Sequence, residues 1–415
     1  MALGCLSNFI GYIPYAGFSR LAGALKVNKK DQIQTRESRL RALSETGADT
    51  DMGKLLRTFW QPVAVAKDVE PGKAKAIRIM GEDLTLYRGE SGKAYVVGGR
   101  CAHRLTLLHT GWVDGEKIRC MYHGWQYDGT GQCTKRPAEN DKGLPDVKIR
   151  SYPTQEYAEL IFAYMGEGEP PEFNLPRKPI FEDPGYMVMA KSQIWPCNWF
   201  QQIENSMDAV HVSFVHRWGR IGAFGQVVSE KMPKLEYAET EAGIRQTATR
   251  GEGNVRISDW TFPNNNHIVV PNKTPDSPWL ENGVWMVPVD DEQTIRFQVR
   301  AIQSKGPEED QKFADYFNAH KGYNPTHFHD ELFHEQKMPE DNVFELTPAQ
   351  DYVAQIGQGA IVDRTQEYLG ESDTGIVFMR KIFWREMDGM RSGKSTKEWC
   401  HLEKAIELPK QGVAK

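Results

Sequence analysis

Cys101-Ala102-His103 is followed, sixteen residues on, by Cys120-Met121-Tyr122-His123. Two Cys–His pairs on separate loops can hold a metal in two ways. One is a structural zinc in a tetrahedral shell of two sulfurs and two nitrogens. The other is a [2Fe–2S] cluster with both cysteines on one iron and both histidines on the other. In a zinc finger the histidines come together on a helix, whereas here each cysteine is trailed by its own histidine and β-like runs flank both loops. Gly98-Gly99 stand before the first pair and Gly124 after the second. Such turns can aim backbone N–H groups at bridging sulfides. The local pattern favours the cluster and leaves structural zinc as the alternative.

A second constellation lies in residues 197–217, which read as one helix containing Glu204, Asn205, Asp208, His211 and His216. At helical pitch Glu204, Asp208 and His211 share a face, with Asn205 at its edge. His216 lies about 140° round from His211 on an ideal helix. A metal shared by the two histidines therefore requires the helix to bend or end between them, unlike the i, i+4 pair of zinc proteases. Taken alone, the segment reads equally well as an amphipathic helix with incidental histidines. A third group, His327, His329 and His334, sits among charged, loop-like neighbours and reads as a solvated insertion.

Residues 55 to 165 resemble the Rieske domain in its oxygenase branch, on the strength of Cys-x-His and Cys-x-x-His-Gly-Trp at Cys101, His103, Cys120, His123, Gly124 and Trp125. Rieske proteins of respiratory complexes add a disulfide-forming cysteine to each loop; Thr106 and Tyr122 occupy those places here. Leu105 stands where oxygenases often carry glycine. Over residues 50 to 390 the chain resembles the Rieske non-haem iron aromatic-ring-hydroxylating oxygenases, closest to the phthalate-dioxygenase-like subgroup, whose oxygenase holds only α subunits.

Within that resemblance Asp-x-x-His-x4-His is the mononuclear-iron motif, so His211 and His216 are the implied ligands of Fe(II). Asp351, in Gln350-Asp351-Tyr352, is the implied third, with Asp363 and Asp373 in reserve. Two imidazoles and one carboxylate on one face of iron leave positions open for dioxygen. The resemblance also implies a homotrimer in which Asp208 hydrogen-bonds His123 of one subunit and His211 of the next, with Asn205 near the iron. A small aromatic substrate would undergo ring dihydroxylation, or monooxygenation with loss of an O- or N-alkyl group. Arg217 and Arg220 are candidates to clamp a substrate carboxylate, though surface ion pairs suit them better; Asn264, Asn265 and Asn266 offer polar contacts or a turn. Two other readings remain: a non-catalytic Rieske electron-transfer protein and a zinc-stapled binding module.

The elements that position these residues follow from the texture of the chain. Short β-like runs at Ala76–Met80, Leu84–Arg88, Ala94–Val97, Lys117–Cys120 and Trp125–Tyr127 are separated by glycine-rich turns, which predicts a small all-β domain. Strand-like runs then recur at Ile244–Thr249, Ile268–Val270, Val284–Pro288 and Thr294–Ile302. Two helices are expected near the end. Thr347-Pro348-Ala349-Gln350 has a capping-box spacing with proline at the first helical position. Ser372-Asp373 is placed to cap a helix through Ile376, Phe378 and Ile382. The expected fold class is α+β, with an N-terminal extension (1–50, partly helical), a Rieske [2Fe–2S] domain (51–165) and a catalytic domain (166–415) whose antiparallel sheet is flanked by helices.

At 415 residues the chain can build two or three domains with their own cores, and a net charge of −5 gives no reason to expect nucleic acid. Six cysteines over this length make no disulfide scaffold and suit a reducing cytoplasm. No run approaches the roughly 18 apolar residues of a membrane span, and Met1 to Leu21 lacks the layout of a signal peptide. Gly357-Gln358-Gly359 lacks the remaining glycine of a dinucleotide fingerprint and follows no predicted strand. Electrons are therefore expected from a separate NAD(P)H-dependent reductase, with or without a ferredoxin between them.

Overall fold

The β-like runs between Trp60 and Tyr164 fold into three small antiparallel sheets. Strands β1 (Trp60–Val65), β11 (Leu160–Tyr164) and β10 (Thr154–Tyr157) form one; β2 (Ala74–Ile79), β3 (Glu82–Arg88), β4 (Ala94–Gly98) and β9 (Ser151–Tyr152) form the second. The third, β5 (Trp112–Asp114), β6 (Lys117–Arg119), β7 (Gln126–Tyr127) and β8 (Cys133–Lys135), holds the Cys120–His123 loop between β6 and β7, and the Cys101–His103 loop leads into it from β4. In this computed structural model the described residues are 29–140, 145–173, 175, 177–216, 232–251, 254–270, 280–319, 335, 343–394, 399 and 412–413. The histidines at 327, 329 and 334 and the arginines at 217 and 220 lie outside them. Residues 1–39 and 40–415 form two units; of the first, the described residues 29–39 are helical, within α1 (Lys29–Ala42).

A larger antiparallel sheet dominates the second half. Its order is β12 (Tyr186–Trp195), β18 (Thr294–Gln303), β17 (Leu280–Pro288), β16 (Asn265–Val270), β15 (Asn254–Thr261), β14 (Gly243–Thr249) and β13 (Lys234–Glu239), with the short β19 (Gly412–Val413) on β15. Every strand run expected here is found. Alternation explains which face is buried: in β18, Phe297, Val299 and Ala301 are buried whereas Arg296, Gln298 and Arg300 face the other way.

One hydrophobic core runs from Met52, Leu55 and Leu56 on helix α2 (Asp51–Arg57) through Ile161 and Phe162 to Trp285, Phe297 and Phe383. It therefore joins the first sheet to the large one. The β2–β3 turn, with Met80 (φ 48) and Gly81 (φ 80) both left-handed, is the twist-matching hairpin type. Its tip donates N–H bonds to the carbonyls of Pro288 and Val289 at 2.8 Å each. Asn264 extends the seam: its amide donates to Gln61 Oε1 at 2.8 Å and to the Met286 carbonyl at 3.0 Å. Asn264 thus lies in a turn, as one of the two readings allowed, buried as a joint between the sheets, while Asn265 and Asn266 begin β16.

Two helical expectations need correction. Residues 197–217 do not form one helix: α3 (Trp199–Ser206) stops, residues 207–210 turn, and a short α4 (His211–Phe214) follows. The helix expected to begin at Pro348 runs instead from Val343 to Ile356 (α6; α5 is Pro307–Ala319), with Pro348 inside it. Proline removes one N–H and crowds one preceding carbonyl, a local cost that the rest of the helix outweighs. The last helix, α7 (Thr374–Arg391), starts where expected, but the Asp373 carboxylate accepts from the Gly370 N–H at 2.7 Å and not from the helix. Among the described residues no helix is long and apolar enough to cross a membrane.

Candidate metal centres

The two Cys–His loops fold as near copies. In each, the cysteine carbonyl accepts from the N–H four residues on: Leu105 to Cys101 at 2.9 Å and Gly124 to Cys120 at 3.0 Å. Both closing residues are left-handed, Leu105 with φ 60 and Gly124 with φ 73. The resemblance had marked position 105 as a usual glycine, and the backbone shows why: a side chain there costs about 1 kcal/mol. Leu105 bears that cost at the surface, 63% exposed.

The side chains sort by type. Cys101 and Cys120 are both 1% exposed, are unbridged, and share a small core with Tyr127, Ile118 and Val97. Burial pushes the Cys120 thiol up, against the pull of the Tyr122 and His123 N–H groups aimed at its sulfur. His103 and His123 pack edge to face, ring centroids 4.5 Å apart, and His103 stacks on Trp125 at 4.7 Å. His103 Nδ1 is buried without a hydrogen-bond partner among the described residues. The Tyr127 hydroxyl lies 3.2 Å from Cys101 Sγ and accepts from the Ala102 N–H at 3.1 Å, which leaves its own proton free for the sulfur. Two buried sulfurs, two adjacent imidazoles and an orphaned ring nitrogen fit a cluster with sulfur ligands on one iron and nitrogen ligands on the other.

The second centre is built by the break after α3. Asp208 Oδ1 accepts from the N–H groups of Val210 at 2.8 Å and His211 at 3.2 Å, so a carboxylate turns the chain and starts α4. The turn brings His211 and His216 to one carboxylate atom: Asp351 Oδ1 lies 3.6 Å from His211 Nε2 and 3.4 Å from His216 Nε2. The three ligand atoms lie within 4.8 Å of one another. Ligands at right angles about 2.1 Å from a metal lie about 3 Å apart, so small movements fit the set to an ion. Asp351 Oδ1 and His211 Nδ1 are buried with no hydrogen-bond partner among the described residues, as expected of a site completed by another group.

Electrostatics agree with that arrangement. Burial works to raise Asp351, but His216, His211 and Arg296 prevail and hold it down to about 2. Burial likewise opposes protonation of His211, while Asp208 and Asp351 carry its net shift upward. His216 Nδ1 faces Gln350 Oε1 at 3.2 Å, an acceptor that selects the tautomer with Nε2 toward the carboxylate.

Other candidates are placed elsewhere. Asp363 accepts from the backbone N–H and hydroxyl of Thr365, and Asp373 from Gly370, so neither joins the histidines. Glu204, expected on the His211 face, is buried against Arg364 and Arg380. Asn205, in the last turn of α3, is half-buried, and no hydrogen bond from its amide reaches the triad among the described residues. Tyr127 and three arginines near the triad, Arg250, Arg256 and Arg296, were given no part in either site by the sequence, and Gln350 was read there only as a capping-box residue. Gln350 alone had a signal, its place beside Asp351.

Comparison with known proteins extends over nearly the whole chain. Residues 59–153 match the Rieske [2Fe-2S] domain family, and residues 163–408 match the family described as LigXa C-terminal domain like. The 5,5'-dehydrodivanillate O-demethylase oxygenase subunit of Sphingobium sp. is 32% identical, covering 88% of this chain and 84% of that one. The phenoxybenzoate dioxygenase subunit alpha of Ectopseudomonas oleovorans is also 32% identical, over 85% of each. In fold, the caffeine-bound NdmA mutant of Pseudomonas putida CBB5 superposes with a TM-score of 0.66 at 21% identity, covering 88% of this chain and 100% of that one. The chain belongs to the Rieske non-haem iron oxygenases, as a terminal oxygenase subunit that works with a [2Fe–2S] cluster and Fe(II).

Proposed function

We propose that Cys101, His103, Cys120 and His123 hold the cluster and that His211, His216 and Asp351 hold the iron. The boundaries that go with this are 51–165 for the cluster domain and 166–415 for the catalytic domain. The observation that carries the reading is the convergence of both Nε2 atoms on Asp351 Oδ1, at 3.6 and 3.4 Å. When bound, iron supplies the activation of dioxygen, and the cluster supplies electrons to it one at a time. The chain's own residues do the rest. Gln350 fixes the His216 tautomer, Asp208 holds the turn that aims His211, and Asn205 stands in the adjoining helix end as a polar neighbour of the site.

The substrate is a small aromatic compound, and the reaction is ring dihydroxylation or monooxygenation with O- or N-dealkylation. The O-demethylase and dioxygenase names of the two relatives support both outcomes. Electrons come from an NAD(P)H-dependent reductase, with or without a ferredoxin. The working form is a homotrimer in which Asp208 joins the cluster histidine His123 of one subunit to His211 of the next; a carboxylate accepting from two imidazoles orients both.

His211→Ala tests the iron assignment. Oxygenation should disappear while the visible spectrum of the cluster is unchanged; retained oxygenation would overturn it. With reductase, NADH and an aromatic panel, product masses then separate the two chemistries. Dihydroxylation adds two oxygens and two hydrogens, whereas dealkylation releases an aldehyde. A purified protein holding no iron beyond its sulfide-bound pair would return the chain to a purely electron-transferring role.

A further inference from the structure

Both proposed cluster histidines rest on aromatic rings that carry arginines, but the two arrangements differ. His103 stacks flat on Trp125, with centroids 4.7 Å apart and planes 4° from parallel. The Arg136 guanidinium lies over the same indole, 5.4 Å from its centroid. His123 is tilted by 34° against Tyr122, and Arg104 lies over that ring at 5.5 Å. Tyr122 and Arg104 are exposed, whereas Trp125 and Arg136 are half-buried. Solvent screens the first arginine far more than the second.

The fold dictates where Arg136 stands. Gln126 on β7 pairs with Lys135 on β8, so the next residues outward, Trp125 and Arg136, come side by side. Pro137 then packs on the Cys120–His123 loop: a Cβ on Gly124 would sit 3.1 Å from Pro137 Cγ. The chain leaving β8 is thereby pinned against the proposed ligands. Two contacts, from guanidinium to indole and from indole to imidazole, keep the charge within about 10 Å of His103, a range over which a part-buried charge is felt.

What this arginine lacks is a counter-charge. Arg57, Arg88 and Arg119, earlier in the chain, pair with Glu82, Glu156 and Asp114. Arg136 has no ion-pair partner among the described residues, and its Nη1 is buried there without a hydrogen bond. Its sulfur neighbour Cys133 is no substitute. That thiol donates to the Lys135 carbonyl at 3.8 Å, and burial pushes its pKa up against the pull of Arg136. A buried cation left unpaired is costly, and nearby negative charge relieves the cost. A [2Fe–2S] cluster gains one negative charge on reduction, and the charge around it helps to set its potential.

We propose that Arg136 is a potential-setting residue: its guanidinium, held on the indole that stacks on His103, stabilises the reduced cluster and makes this subunit easier to reduce. The inference rests on Cys101, His103, Cys120 and His123 being the cluster ligands, as proposed above. The step involved is the uptake of one electron from the external donor; Arg136 itself exchanges neither proton nor electron.

The test is an equilibrium redox titration of the full-length, cluster-loaded protein, followed by circular dichroism at fixed neutral pH and salt. Arg136→Gln removes the charge and should shift the reduction equilibrium at least tenfold toward the oxidised form, a midpoint lower by about 59 mV for one electron. Arg136→Lys keeps the charge and should recover at least half of that shift. A smaller shift in Arg136→Gln, or a rise, overturns the proposal. Recovery of less than half by lysine overturns it too, because packing and not charge would then matter. Should Arg136→Gln lose the cluster, Arg136→Met keeps the stem against the indole and is read against the same threshold. The visible spectrum of the oxidised protein reports the ligands themselves. An intact spectrum with an unmoved midpoint defeats the potential-setting role alone. A parent spectrum typical of four cysteine ligands, or a parent protein without sulfide, defeats the ligand assignment and that role together.

Discussion

Gln350 Oε1 lies 3.2 Å from Nδ1 of His216, on the residue directly before the carboxylate Asp351. One helix turn therefore carries both a proposed iron ligand and the group that orients another. Partners of this kind fix the ring tautomer, and their loss typically weakens metal binding 10- to 100-fold. Gln350→Leu should lower the affinity for iron by about that factor while leaving the cluster in place. Gln350→Glu, which keeps an acceptor, should retain most of it. Iron titration of the metal-free protein, with cluster absorbance as internal control, measures both; unchanged affinity in Gln350→Leu would assign Gln350 to packing alone.

Tyr127 tests the cluster in a different way. Its hydroxyl, 3.2 Å from Cys101 Sγ, can donate to a sulfur that becomes more electron-rich on reduction. Such a bond favours the reduced state and raises the potential. Tyr127→Phe should therefore lower the midpoint by about 60 mV for each 1.4 kcal/mol of lost interaction. A redox titration followed by circular dichroism reads the shift, and a midpoint that stays or rises contradicts the bond.

How much of this was legible beforehand depends on the range of the interactions. The proposed cluster ligands sit within three residues of one another in each loop, so their spacing was visible, and β2–β4, β6, β7, β14 and β16–β18 announced themselves by alternation and glycine turns. The interruption after Ser206 was not, because it depends on Asp208 accepting two N–H bonds and outcompeting the helix. Helical pitch therefore placed Glu204 with His211, whereas its partners lie 160 and 176 residues away. The arginines near the triad were hidden for the same reason. A lone arginine in a strand looks like an outward-facing polar residue until the sheet has been assembled around it.

The misplaced glutamate gives its own prediction. Glu204 accepts from Arg364 at 2.9 Å and from Arg380 at 2.6 Å, and Arg364 also reaches Ser44 at 2.8 Å. Removing one member of a buried network leaves uncompensated charge, typically costing 3–5 kcal/mol. Glu204→Ala should lose about that much by denaturant unfolding, while Glu204→Gln keeps the shape and loses somewhat less. Stability within about 0.5 kcal/mol of the parent would place this cluster among exposed pairs, which contribute little.

His267 makes acid stability a local question. It is 1% exposed, its Nε2 lies 2.8 Å from Glu281 Oε2, and its Nδ1 has no hydrogen-bond partner among the described residues. Burial, followed by the nearby Lys178, lowers its pKa to about 4, and Glu281 and Asp259 only partly oppose them. The unfolded chain, near 6.5, thus takes up the proton before the folded one does. Its contribution is complete above about pH 6.5 and declines as the pH falls toward 4. Each pH unit in that window removes about 1.4 kcal/mol, so unfolding at about pH 5 should need about 2 kcal/mol less than at pH 7.5. His267→Gln has nothing to protonate and should flatten this part of the profile even if its absolute stability is lower. An equally steep decline in the variant would place the acid sensitivity elsewhere, with the carboxylates paired in the folded state the next groups to examine.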